Sequence, residues 1–186
     1  MFQAATLAVD DKTVFYRDLD TQLRGLLEGE RDWIANSANF SALLFLMLPD
    51  LNWAGFYFLR VAKGNAKSAA APGSKSEPDS NPAHGTELIL GPFQGKPACV
   101  RIPVGRGVCG TAVERNATIL VEDVHAFPGH IACDAASRSE LVVPVRHAGK
   151  VVGVIDLDSP VPARFDAQDQ AGIEALAEIF AAASDF

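Results

Sequence analysis

The stretch ELVVPVRHAGKVVGVIDLD, residues 140–158, decides the fold. Leu141 to Val145 and Val151 to Leu157 are β-branched runs flanking a turn at Ala148-Gly149, which predicts a hairpin at the centre of a sheet. Side chains alternate between the faces of a strand at about 3.3 Å per residue, so Asp156 and Asp158 share one face with Cβ atoms roughly 6.5 to 7 Å apart. Glu140, just before the neighbouring strand, is where a third acid joins them. Close packing of like charges raises at least one carboxyl pKa, and an acid kept protonated near neutral pH suits a reaction in which oxygen leaves. By position alone the two aspartates read equally well as a solvated strand end.

Outward from the hairpin, the rest of the chain supplies a sheet and its cover. Leu19, Leu23, Leu26 and Leu27 recur at helical spacing within Tyr16 to Glu28, and a second helix is expected over Arg31 to Leu48, ending before Pro49. Leu51 to Val61 alternates, with Trp53, Gly55 and Tyr57 on one face and Ala54, Phe56 and Phe58 on the other, as a strand does. Short strands are predicted at Glu87 to Leu90 and Ala98 to Pro103, joined through Gly91-Pro92 and Gly95-Lys96. A short helix over Val108 to Asn116 follows Gly105-Arg106-Gly107, and a strand over Thr118 to Val121 comes next. Glu122 to Arg138 is then a long connection of the kind that builds a site over a sheet.

Asp166 caps a last helix carrying Ile173, Leu176, Ile179 and Phe180 on one face, expected to lie beside the N-terminal pair. The sum is an α+β fold: one antiparallel sheet of about six strands, N- and C-terminal helices on one face, a ligand pocket on the other. Between residues 63 and 85 apolar periodicity vanishes into Ala, Ser, Pro, Gly, Asn and Lys, which reads as a mobile insertion in a single domain spanning residues 1–186.

Composition narrows the function. A chain of 186 residues with 48% hydrophobic content suffices for one buried core. Its formal net charge of -7 disfavours nucleic acid and anionic membranes, which are met by clustered Lys and Arg. No apolar run reaches the ~18 to 20 residues of a membrane span, and the start of the chain lacks the pattern of a leader, so a cytoplasmic protein is expected. Three cysteines make no disulfide framework, leaving reactivity, metal binding or packing as their uses.

Cys133 sits in the long connection between His130 and Asp134. A lone cysteine there reads as readily as a small buried hydrophobe. Cys109 begins the short helix, where the helix N-terminus lowers a thiol pKa, and Cys99 is expected in a strand. Either thiol could resolve an oxidised Cys133 if the fold brings the Cα atoms within about 7 Å. His125, His130 and Cys133 form an alternative zinc set, but their spacing matches no standard pairing, and Asp156-Leu157-Asp158 is a weak acidic metal motif; no metal is expected. Trp53 and Tyr57 could wall a pocket for a methyl or thioether group, or simply pack in the core.

Several runs then become specific. Gly91-Pro92-Phe93-Gln94-Gly95-Lys96, Cys99-Val100-Arg101-Ile102-Pro103, Gly105 through Ala112, Val121-Glu122-Asp123-Val124-His125 and His130-Ile131-Ala132-Cys133-Asp134 together resemble the free methionine-(R)-sulfoxide reductases, enzymes of the GAF fold. The resemblance implies that Cys133 is the catalytic cysteine, Cys99 the cysteine that recycles it and Cys109 an accessory thiol. It likewise implies that Glu140, Asp156 and Asp158 are the pocket acids, with Glu140 and Asp158 favoured for proton donation, and Trp53 and Tyr57 the aromatic wall. The implied substrate is free methionine (R)-sulfoxide, the implied external reductant thioredoxin or a similar dithiol, with no bound cofactor; a homodimer is compatible with this. The insertion at 63–85 stands where that family has a tight connection. GAF domains that sense cyclic nucleotides resemble one another in an Asn-Lys pair and a later Phe-x-x-x-Asp-Glu; here Phe165 and Asp169 are followed by Gln170, with no Asn-Lys pair upstream.

Overall fold

The structure is a computed structural model that describes residues 11–62, 85–131 and 134–186. Helices α1 (Lys12–Leu26) and α2 (Trp33–Met47) come first, followed by strands β1 (Trp53–Val61), β2 (Thr86–Gly95) and β3 (Arg101–Pro103). Helix α3 (Gly107–Arg115), β4 (Ile119–Val121), β5 (Ser139–His147), β6 (Lys150–Ser159) and α4 (Ala167–Ala183) complete the order. The six strands form one antiparallel sheet in the order β3-β2-β1-β6-β5-β4. The insertion expected at 63–85 lies, from 63 to 84, outside the described residues.

Strand alternation divides the apolar side chains into two cores. Ala54, Phe56 and Phe58 of β1, Leu141, Val143 and Val145 of β5, and Ile155 and Leu157 of β6 point to the face covered by α1, α2 and α4. There Phe56 packs against Phe180 at 4.7 Å between ring centroids and against Phe40 at 5.7 Å. Each such fully buried ring contributes roughly 1.5 to 3 kcal/mol. Trp53, Tyr57, Val142 and Val154 point to the opposite face, where α3 and the connection to β5 lie over the sheet.

The helices on the covered face are pinned by their termini. Asp11 accepts the Thr13 and Val14 N–H groups at the start of α1, and Asp166 accepts those of Gln168 and Asp169 at the start of α4. Asp169 returns a bond to the Asp166 N–H, which closes a capping box. It also accepts Lys12 Nζ at 2.6 Å, Tyr16 Oη at 2.8 Å and Arg164 Nη1 at 3.3 Å, so one buried carboxylate joins α1 to α4. Burial and the Asp169 charge push the Tyr16 phenol far above its ordinary range.

The expected short strands at Glu87 to Leu90 and Ala98 to Pro103 are corrected. β2 runs unbroken through Gly91-Pro92 to Gly95, because the register with β1 slips between Gly55 and Tyr57, leaving two residues of β2 opposite Phe56. A bulge tolerates the missing proline N–H, which a regular ladder would not. β3 is only Arg101–Pro103, so Cys99 precedes a strand rather than lying in one. The β5–β6 turn is as read, with Ala148 at φ 49° and Gly149 at φ 76°, the pair of positive angles that a two-residue hairpin of this twist needs.

Candidate active site

Pairing register lays the site out in rows across the sheet. Trp53 of β1 pairs with Asp158 of β6, Asp158 with Glu140 of β5, and Glu140 with Val121 of β4. In the next row Phe93 pairs with Gly55, Gly55 with Asp156, and Asp156 with Val142. The three acids therefore form a compact group on the face away from α1, α2 and α4. Above them a cavity of about 530 Å³, its open mouth included, is bounded by Trp53 and Tyr57 on one side and by Cys109, His130 and Ile131 on the other.

The aromatic wall depends on Gly55. Trp53 stacks on Tyr57 at 5.8 Å and on Phe93 at 5.3 Å, and its ring lies across the backbone of Gly55. A Cβ at Gly55 would stand 2.6 Å from Trp53 Cη2 and closer still to Phe93 Cβ. The indole N–H donates to the Lys96 carbonyl at 3.2 Å, which fixes the ring against the β2–β3 connection.

Burial sets the protonation of the floor. Glu140 is pushed well above the ordinary carboxylate range by burial, then by the nearby Asp156 and Asp158, and it donates to Asp156. Asp156 is raised to about 7 by burial, against hydrogen bonds from Cys109 and Glu140 that favour its anion. Asp158 is also pushed well up by burial and then by Asp156, with a Ser137 hydrogen bond in opposition. Burial thus favours the protonated forms throughout the group. Asp156, which lines the cavity, has its Oδ1 buried with no hydrogen-bond partner among the described residues.

Cys109 corrects one expectation. Its position at the third residue of α3 predicted a thiol made acidic by the helix N-terminus. Instead the thiol is pushed well above its usual range, first by burial and then by Asp156 and Glu140, with which it shares the floor. Burial of the thiol, reinforced by the two carboxyl groups beside it, outweighs the partial charge of one helix end. Cys99 is half-buried in the β2–β3 connection. Cys133 lies outside the described residues.

Asn52, Lys96, Asp134 and Ser137, given no role from the sequence, frame the mouth, together with His130, which the sequence offered only as a zinc candidate. Asp134 accepts Asn52 Nδ2 at 3.2 Å and the Ala136 N–H at 3.0 Å, and pairs with Lys96 Nζ at 3.1 Å. The Ala136 N–H, then Lys96, hold its carboxyl below the usual range. Asn52 Nδ2 also donates to Ser137 Oγ at 3.0 Å. His130, made harder to protonate by burial and then by His125, brings Nε2 to 3.6 Å from Glu140 Oε2. The only local signal for this cluster was the Asp134-to-Ser137 spacing of a side-chain-capped turn, in which the Ser137 N–H reaches the Asp134 carbonyl. His125 does not line the cavity, its side chain being mostly exposed and paired with Asp123 at 3.0 Å, and Cys133, the third member of the zinc set read from the sequence, lies outside the described residues.

A sheet with helices packed on one face and a polar cavity on the other is the arrangement of a GAF domain, and a GAF-domain profile matches residues 48–185. Among curated relatives, Protein YtsP of Bacillus subtilis (strain 168) is 51% identical over 90% of each chain. The free methionine-R-sulfoxide reductase of Escherichia coli (strain K12) is 49% identical over 89% of this chain and 86% of its own. Among solved structures, the free methionine-R-sulfoxide reductase from Neisseria meningitidis in complex with its substrate superposes with a TM-score of 0.80 at 38% identity, covering 98% of this chain and 95% of that one. The chain belongs to the free methionine-R-sulfoxide reductase family of GAF-domain proteins. No helix among the described residues is long and apolar enough to cross a membrane.

Proposed function

We propose that this chain reduces free L-methionine (R)-sulfoxide to methionine by thiol chemistry; the names of two curated relatives say of them that they are free methionine-R-sulfoxide reductases. The observation that carries the reading is a floor of three carboxyls, Glu140 and Asp156 buried and Asp158 half-buried, beside an aromatic wall. A sulfoxide brings an oxygen that must leave, a methyl thioether that suits Trp53 and Tyr57, and an ammonium that suits a buried acid. Asp156, with an acceptor oxygen left unpaired, is the group for the ammonium, and Asp158 supports it.

Cys133 thiolate attacks the sulfoxide sulfur while Glu140, with Asp158 opposite it, donates a proton to the oxygen. The oxygen passes to Cys133 as a sulfenic acid, and methionine leaves. Cys99 condenses with it, releasing water and forming a disulfide, with Cys109 as an accessory thiol. Thioredoxin or a similar dithiol reduces that disulfide by exchange and restores both thiols. Backbone N–H groups of the connection before β5 hold the substrate carboxylate, which excludes sulfoxide within a peptide. The role is antioxidant repair of free methionine in the cytoplasm by a single domain, alone or as a homodimer.

Purified protein is incubated with free (R)-sulfoxide, free (S)-sulfoxide and a peptide-bound sulfoxide, with thioredoxin oxidation as readout. Turnover of the free R epimer alone is expected. No turnover of that epimer would sink the proposal. Cys99→Ser should yield one methionine per site and stall, whereas Cys133→Ser should yield none.

A further inference from the structure

Three elements bring metal-ligand side chains to one point in the cavity floor. Cys109 comes from α3, Glu140 from β5 and Asp156 from β6, and the Sγ and one oxygen from each carboxyl all lie within 4.8 Å of one another. His130 Nε2 stands 3.6 Å from Glu140 Oε2, too far for a hydrogen bond. That leaves His130 at the rim of the group, outside the set of mutually close ligand atoms. Independently of the cluster's own contacts, Asp156 Oδ1 is buried and has no hydrogen-bond partner among the described residues.

We propose that Cys109, Glu140 and Asp156 form a site for a thiophilic divalent cation of the zinc class, with water as the fourth ligand, and that its occupation excludes substrate from the cavity. The protein supplies one sulfur and two carboxylate oxygens. Magnesium and calcium prefer six or more oxygens, whereas zinc accepts four mixed ligands, so the chemistry selects the softer ion. No oxidation state changes on binding: the cation takes the places of the protons on the Cys109 thiol and the Glu140 carboxyl, and those protons go to solvent. The ligands are spread over three elements, which is why no zinc spacing appears in the sequence. The inhibitory half of the inference rests on the reductase reading, because the same Asp156 oxygen is there assigned to the substrate ammonium.

The test uses the Cys99→Ser/Cys133→Ser double variant, in which Cys109 is the sole remaining thiol of three. Titration with Cd²⁺ as the spectroscopic probe should give a thiolate-to-metal charge-transfer band that saturates at one equivalent, and Zn²⁺ should displace it. Adding Cys109→Ser should abolish the band, and adding Asp156→Asn, which preserves thiol and shape, should weaken binding at least ~10-fold. Absence of the band, or a band indifferent to Asp156→Asn, overturns the site. Free methionine (R)-sulfoxide should raise the apparent Kd for Cd²⁺ in the double variant; an unchanged Kd overturns the competition. Wild-type turnover of the R epimer without added metal decides the reductase reading separately, and the Cd²⁺ titration alone decides the metal site.

Discussion

Glu140 and Asp158 are direct partners across β5 and β6, two carboxyl groups side by side in the floor of the cavity. Like charges at opposed positions of a ladder repel, and burial removes the water that would screen them. The pair keeps at least one proton, and that proton is available to a departing oxygen. Glu140→Gln keeps the shape and the donor to Asp156 but loses the transferable proton. Its kcat for free methionine (R)-sulfoxide should fall ~100- to 10,000-fold with KM little changed. Steady-state kinetics near pH 7 checks this, and a kcat within twofold of wild type removes Glu140 from proton transfer.

Asp156 gives the ligand-free protein a pH signature. Its folded-state pKa, about 7, stands above that of an unfolded aspartate, so the native state binds more protons than the unfolded state between those values. Stability from this group is complete below the ordinary carboxylate range and is lost as pH rises through about 7. The ceiling on that loss is on the order of 4 kcal/mol. Glu140 and Asp158, also raised, extend the decline to higher pH. Urea denaturation at pH 5 and pH 8 should show the wild type weaker at pH 8, and Asp156→Asn should flatten the difference. A wild-type protein more stable at pH 8 would contradict the sign.

Gly55 sets the aromatic wall. Gly55→Ala places a methyl group 2.6 Å from Trp53 Cη2 and against Phe93 Cβ, both fixed by stacking and packing. The expected cost is about 1 to 3 kcal/mol of stability, with KM raised as Trp53 is displaced. Chemical denaturation and steady-state KM measure the two effects. An unaltered KM would separate Trp53 from substrate binding.

Asp169 is a folding determinant remote from the chemistry. It is 1% exposed and satisfies Lys12, Tyr16, Arg164 and the Asp166 N–H. Asp169→Ala strands these donors and should lower stability by about 3 to 5 kcal/mol, seen as a shifted denaturation midpoint. kcat per folded molecule should be unchanged, because the residue lies beneath the helices and not in the cavity.

Legibility in the sequence followed local periodicity. β1 alternates so regularly that Trp53 and Tyr57 were assigned to the face opposite Phe56 and Phe58, and the two cores divide there. The Asp166 cap and the Ala148-Gly149 turn were legible because each is closed by neighbours in sequence. Gly91-Pro92 misled because two turn-forming residues stand together, and only the pairing with β1 turns them into a bulge. Asn52, Lys96, His130 and Ser137 went unseen as a cluster because their partners lie far away in sequence.

The sequence by itself determined the elements, their faces and the alignment of Asp156 with Asp158, since a two-residue repeat is a property of the strand backbone. Tertiary structure alone decided the chemistry of those groups. Cys109, Glu140 and Asp156 meet only when α3 is laid over β5 and β6. Their proton affinities then follow from burial and from distances of a few ångströms, quantities that exist only in the folded chain.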